Sequence, residues 1–318
     1  MVRTVLAGRD AGVPDRRLHR PRIRRLLGFQ HLALVPLFLF LLLFVVYPVG
    51  ELIRMAFSNL ETMRGEFVWD FNGFSNLGTM VNDKTFLVSL RNTVVFVLLA
   101  TTLQIIIGTA LAVLVEKARF LGGLARNVLI WPAIITPVAI SVIWWLIINI
   151  EFGVLNHILD ALGLPEQRWL ASTTWALPAL IVVDVWHWTP LVLLLVLAGL
   201  ANIDHTLYEA ARMDGASEWK VLWGITLPLL APVLVVAAIT RIVLGFKVFD
   251  EIYVLTSGGP GLSTEVISIY IRRVFFEQLR MGYGAFLGLT VVTFLVVSLA
   301  VVPLFAEERR RGRWRNTA

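Results

Sequence analysis

Two ionisable residues stand in this chain where water is scarce. Asp184 lies in "ALIVVDVWHWTPL" and Arg241 in "AAITRIVLGF", each within an apolar run long enough to cross a bilayer. A charge at mid-bilayer costs about 2.5–3.5 kcal/mol on insertion scales, so such groups pair with one another or line a polar path. His187 and Trp188 follow Asp184 at i+3 and i+4 and therefore share its helix face. The four residues could line a solute pathway, or Asp184 and Arg241 could merely fix helix register. Both readings fit the residues. Other chemistry is excluded more firmly. The sequence has no cysteine, which removes thiol catalysis, disulfides and thiolate metal sites. Its five histidines show no metal-ligand spacing, and no metal site is expected. No G-x-x-x-x-G-K-[ST] phosphate loop occurs.

A second constellation is polar and lies outside the apolar runs: "NIDHTLYEAARMDGASEWKVLWGI", residues 202–225. Asp204 or Asn202 can cap a first short helix through Met213, and Asp214-Gly215 is a stop signal. Ser217 can cap a second helix, with Glu218 favourably placed at its positive end. Ala210 and Ala211 leave bare helix surface, rimmed by Glu209, Arg212 and Asp214. That composition suits a helix docked in a groove of a partner protein, and it also suits a solvated connector.

The elements that must position these residues are membrane spans. The 318 residues are 58% hydrophobic and 16% charged, far more apolar than a soluble domain. Six stretches meet the requirement of roughly 20 apolar residues: about 31–50, 90–115, 128–148, 176–199, 226–248 and 285–305. Spans must satisfy their own backbone hydrogen bonds, so helices are expected and sheet is not. Pro132 and Pro137 should kink the third span. The first apolar run exceeds the usual signal-peptide length and reads as an anchor. With the N-terminus inside, 18 of the 28 Lys and Arg fall in inner segments and 9 in outer loops. This bias puts both termini, and residues 200–225, in the cytoplasm.

With span midpoints near residues 187 and 238, Asp184 and Arg241 lie at the same depth, about 4–5 Å to the outer side of centre. Gly108 and Ala112 give the second span a small-xxx-small spacing for close helix approach. Trp131, Trp144, Trp145, Trp169 and Trp175 cluster near span ends, where interfacial belts account for them. A sugar-stacking platform is the alternative for one or two of them. On the outer side, Gly258-Gly259-Pro260-Gly261 reads as a loop. "STEVISIYIRRVFFEQL" reads as a surface helix capped by Ser263 or Thr264. The Arg-rich residues 1–30 read as a topogenic leader rather than a nucleic-acid arm, and 306–318 as a basic tail.

The polar stretch resembles the "EAA" motif of ABC importer permeases. Glu209-Ala210-Ala211, Asp214-Gly215-Ala216, Ile225-Thr226-Leu227-Pro228 and Pro232 all fall in place. The sugar-importer branch usually has Phe where Leu222 stands, a mild departure. "NVLIWPAIITPVAISVIWWLI", "GVLNHILDALGL", "VDVWHWTPLVLLLVLAGLANI" and "VFDEIYVLTSGGPGLSTEVISIYI" also resemble successive segments of maltose- and glycerol-phosphate-type permeases, over roughly residues 30–305.

The resemblance implies an all-α integral membrane fold, with six transmembrane helices and a cytoplasmic coupling helix between the fourth and fifth. It implies docking of an ABC ATPase subunit dimer on Glu209, Ala210, Ala211, Asp214, Gly215 and Ala216. A second permease subunit, an extracytoplasmic solute-binding protein and a small-molecule sugar complete the expected partners, with lipid around and no nucleic acid. ATP and magnesium belong to the ATPase chain, and this chain is no enzyme. The implied location is the bacterial cytoplasmic (inner) membrane, and the implied action is alternating access. Other cargo, such as amino acids, polyamines or oxyanions, is the nearest alternative. An ion-coupled secondary transporter is more distant, because no inverted repeat is visible.

Overall fold

The computed structural model describes residues 34–63, 66–118 and 122–315; the leader 1–30 lies outside them. The chain divides into two compact units, Met1–Glu51 and Leu52–Ala318. Helix α1, Leu34–Ala56, carries a π-helical turn at Leu42–Val46. Its residues 34–50 are all exposed and almost wholly apolar.

The second unit begins with an antiparallel hairpin, β1 (Ser58–Met63) and β2 (Glu66–Phe71), registered Ser58↔Phe71 to Met63↔Glu66. The sequence reading contains no strand. The hairpin lies between spans, where the backbone rule that forbids open sheet in hydrocarbon does not apply. Helix α2 (Ser75–Asn82) leads into α3 (Lys84–Lys117), 34 residues long, whose first N–H groups, those of Thr85 and Phe86, bond the Asp83 side chain.

The third span is the largest departure from expectation. Instead of one kinked helix, α4 (Gly122–Ile134) and α5 (Pro137–Ile148) meet at 103°. Pro132 is absorbed inside α4, but Pro137 pushes Thr136 to an extended conformation (φ −67°, ψ 146°) and begins α5. The break is thus a property of the residue before proline, not of flexibility.

Helix α6 (Val154–Ala161) precedes α7 (Ala176–Leu200). Then come α8 (His205–Met213) and α9 (Glu218–Phe246), the latter with a π turn at Leu222–Thr226. Helix α10 is Asp250–Leu255, and α11, Ile267–Arg272, continues into a π turn at Arg273–Glu277. Helix α12, Met281–Arg315, stays helical past residue 306, where the sequence reading starts a tail. Among the described residues, five helices are long and apolar enough to cross a membrane, or six with the bent pair counted as one span.

The outer helix starts later than its expected Ser263 or Thr264 cap. The Thr264 hydroxyl bonds Gly259 O (2.7 Å) and the Thr256 hydroxyl (2.8 Å), so it is not free to cap, and Val266 takes that place. Nor does α11 lie free at the surface. Ile267, Ile269, Tyr270 and Val274 are buried, Ile267 with Phe86 of α3 and Tyr283 and Leu287 of α12.

The core sits where α3, α7 and α9 meet. Ala112, Val192, Leu193, Val196, Leu230 and Ala237 form one cluster, and Phe96, Val97, Leu180, Val183 and Ile252 another. Gly108 sits at a close approach of α3 to α7: a Cβ there would lie 2.8 Å from Val192 Cβ. Small residues at such a contact let backbones close in, which strengthens dispersion packing between helices in lipid.

Candidate functional site

The four intramembrane residues singled out by sequence come together in one buried network. Arg241 Nη2 lies 2.9 Å from Asp184 Oδ2, and each side chain is 2% exposed. Gln104, from α3, joins both: its Nε2 donates to Asp184 Oδ2 (2.8 Å) and to Asp184 O (3.0 Å). Its Oε1 accepts from Arg241 Nε (2.6 Å). Three helices are thereby tied at one level by groups whose hydrogen-bonding needs are met, the condition under which buried charge is tolerable.

Trp188 continues the network. The Arg241 guanidinium lies 5.3 Å from its ring centroid, and the His187 ring lies 4.5 Å away on a tilted stack. His187 reaches Glu251 Oε1 of α10 at 3.0 Å (Nδ1) and the Ile135 carbonyl at 3.2 Å (Nε2). Asp184, His187 and Arg241 are closed off inside the chain, while Trp188 is half-buried. Sequence reasoning missed Gln104 and Glu251. Gln104 is a lone amide within an apolar run and was visible as such. Glu251 follows the fifth span in a polar segment, where a carboxylate carries no signal of burial.

The loop over residues 202–225 has the two-helix form its sequence demands. Asp204 Oδ1 accepts from Thr206 N (2.9 Å), and this bond holds the Asp204 carboxyl below its usual range. Gly215 takes φ +72°, and the N–H groups of Gly215 and Ala216 bond Arg212 O (3.1 Å) and Ala211 O (2.9 Å), closing the helix end. Ser217 Oγ accepts from Lys220 N at 3.5 Å.

The two alanines do not share a face, because neighbours on a helix are about 100° apart. Ala211 is buried in the chain, whereas Glu209, Ala210, Met213, Asp214 and Gly215 are exposed and Ala216 is half-buried. Tyr208 turns inward, its hydroxyl 3.4 Å from Thr226 Oγ1. Lys117 Nζ, at the end of α3, meets Glu218 Oε2 at 2.6 Å, and Arg212 Nε lies 3.8 Å from Glu218 Oε1. The loop is therefore fastened to α3 and α9, with one charged side left exposed.

Among the tryptophans, Trp131, Trp145 and Trp175 are exposed. Trp144 meets Trp186 edge-on, and Trp169 donates to Asn156 Oδ1 (3.0 Å). At the N-terminal end of α3, Asp83 accepts from both Tyr270 and Tyr283, the latter at 2.7 Å. Burial pushes the Asp83 carboxyl up. The two hydroxyls and the Phe86 and Thr85 amides outweigh it, leaving the group below its usual range.

Apolar helices around a closed polar network, with a charged two-helix loop between α7 and α9, suit a membrane transport subunit. The chain belongs to the family of binding-protein-dependent transport system inner membrane components, which it matches over residues 104–311. It is 35% identical over 283 residues to the trehalose/maltose transport system permease protein MalF of Thermococcus litoralis, covering 88% of this chain and 94% of that one. It is 34% identical over 274 residues to the sulfoquinovosyl glycerol transport system permease protein SmoG of Agrobacterium fabrum, covering 86% and 88%. A bacterial ABC transporter that imports the acidic polysaccharide alginate shares the fold, with TM-score 0.76 and 24% identity over 90% of this chain and 96% of that one. This chain is accordingly a permease subunit of an ABC importer, embedded in the membrane through several spans.

Proposed function

We propose that this chain carries a carbohydrate or sugar-like solute across the bacterial inner membrane by alternating access, with both termini in the cytoplasm. The observation that carries the cargo is the naming of its relatives, which serve trehalose/maltose and sulfoquinovosyl glycerol. An extracytoplasmic solute-binding protein delivers the sugar, and a second permease subunit completes the path. An ATPase subunit pair, which binds ATP and magnesium, docks on the outward side of α8, where Glu209, Ala210, Asp214 and Gly215 are exposed. Ala211 and Ala216 support that surface from behind. On the solute path, Trp188 is the half-buried contact, and Asp184, His187 and Arg241 stand behind it as its polar support.

The test is reconstitution in vesicles with an ATPase subunit and a solute-binding protein that assemble with this chain. Glu209→Lys should abolish ATP-dependent sugar uptake while the permease pair still assembles. Unchanged uptake would refute docking through this loop. Titration of the binding protein with sugars, amino acids and polyamines names the cargo, and tight binding of a non-sugar alone would refute the carbohydrate assignment.

A further inference from the structure

The break in the third span leaves backbone groups unserved at membrane depth. Pro137 has no N–H, Thr136 is extended, and the helical ladder stops between α4 and α5. Irregular backbone at such depth persists only where protein or a lined cavity satisfies it. Here the Ile135 carbonyl is served by His187 Nε2 at 3.2 Å, across from α7.

The other ring nitrogen is equally committed. His187 Nδ1 lies 3.0 Å from Glu251 Oε1, with His187 0% and Glu251 5% exposed. A carbonyl only accepts, so the ring gives it a proton from Nε2. A proton must also lie between Nδ1 and the carboxylate. The pair is then net neutral, whether as imidazolium and carboxylate or as imidazole and carboxylic acid, so it can stay buried. The groups facing it are Trp188 and, beyond that ring, the Arg241–Asp184 pair.

Helix α10, which supplies Glu251, packs against both α5 and α7. The contact thus runs from α7 to α10 on one side and to the end of α4 on the other. We infer that His187 and Glu251 are positioning residues for transport: through the Ile135 carbonyl they set the angle between α4 and α5. Neither need touch the solute. This rests on the transport reading but not on the identity of the cargo.

The absence of cysteine allows a clean test. Cysteines replacing Val128 on α4 and Val142 on α5, both exposed, carry spin labels that report the bend in the assembled, vesicle-reconstituted importer. The parent should give one narrow distance population. Glu251→Gln can turn its amide N–H toward Nδ1, which leaves Nε2–H on the Ile135 carbonyl, and should stay within it. Glu251→Leu and His187→Phe should broaden or shift the population and lower ATP-dependent uptake about tenfold, while the ATPase subunits still co-purify.

An unchanged distance population in Glu251→Leu and His187→Phe overturns the inference. So does a changed population with unimpaired uptake, which would make the contact structural alone. If His187→Phe does not assemble, the comparison of Glu251→Leu with Glu251→Gln decides. A parent protein without ATP-dependent uptake would instead sink the transport reading, and the distance measurement is independent of that outcome.

Discussion

Arg241 of α9 and Asp184 of α7, 57 residues apart in the chain, meet at 2.9 Å with neither side chain more than 2% exposed. Gln104 bridges them from α3, so neither charge depends on one partner alone.

Removing one member of this pair leaves the other buried and uncompensated, at a cost of about 3–5 kcal/mol. Arg241→Met and Asp184→Leu should each sharply lower thermal stability and recovery of the assembled complex. The double substitution should recover most of that loss, because an apolar pair replaces an ionic one. Purely additive losses in thermal unfolding would show that the charges do not act as a pair.

Gly108 permits the approach of α3 to α7. Gly108→Leu forces a side chain into Val192 and should destabilise by about 1–3 kcal/mol. Gly108→Ala should cost less, and Val192→Ala beside it should relieve part of the strain. A melting series of the three variants checks the order.

Gly215 holds the end of α8 at φ +72°. Gly215→Ala should cost roughly 1 kcal/mol and loosen the turn that presents Asp214. Uptake should fall more than global stability does, since the exposed loop bears little of the core. Equal falls in uptake rate and melting temperature would count against a docking role.

Asp83 provides the pH dependence. Its carboxyl is held below the ordinary range, so its contribution is complete above the unfolded-state value, near 3.9, and fades as pH drops through the lower folded-state value. Asp83→Asn keeps the helix cap but weakens two charge-assisted bonds from Tyr270 and Tyr283. It should lower stability by about 1–3 kcal/mol at neutral pH and flatten the acid limb of the stability curve. An identical acid limb in both proteins would show that Asp83 is not the titrating group.

The sequence declares features that depend on neighbours in the chain. The α8 turn was legible because Asp204, Asp214-Gly215 and Ser217 act on backbone within a few residues. The long helices were legible because length and apolarity alone define a span. Long-range partners were not. Glu251 looks solvated until α10 folds back on α7, and Gln104 looks incidental until Arg241 arrives beside it. The sharp break at Thr136 was half visible. Two prolines announce a disturbance, but whether a helix bends or breaks depends on who serves the freed carbonyl, here a histidine 52 residues away. The β1–β2 hairpin escaped because a strand pair between spans leaves no mark in hydropathy.

The order of the three bridged residues along the chain also has a meaning in time. Asp184 leaves the ribosome 57 residues before Arg241, which at 5–20 residues per second is roughly 3–11 seconds of synthesis. Gln104 is by then already made, and its amide bonds Asp184 Oδ2 at 2.8 Å. In order of synthesis, then, the amide that bonds the Asp184 carboxylate in the folded chain precedes that carboxylate, and the arginine that pairs with it comes last.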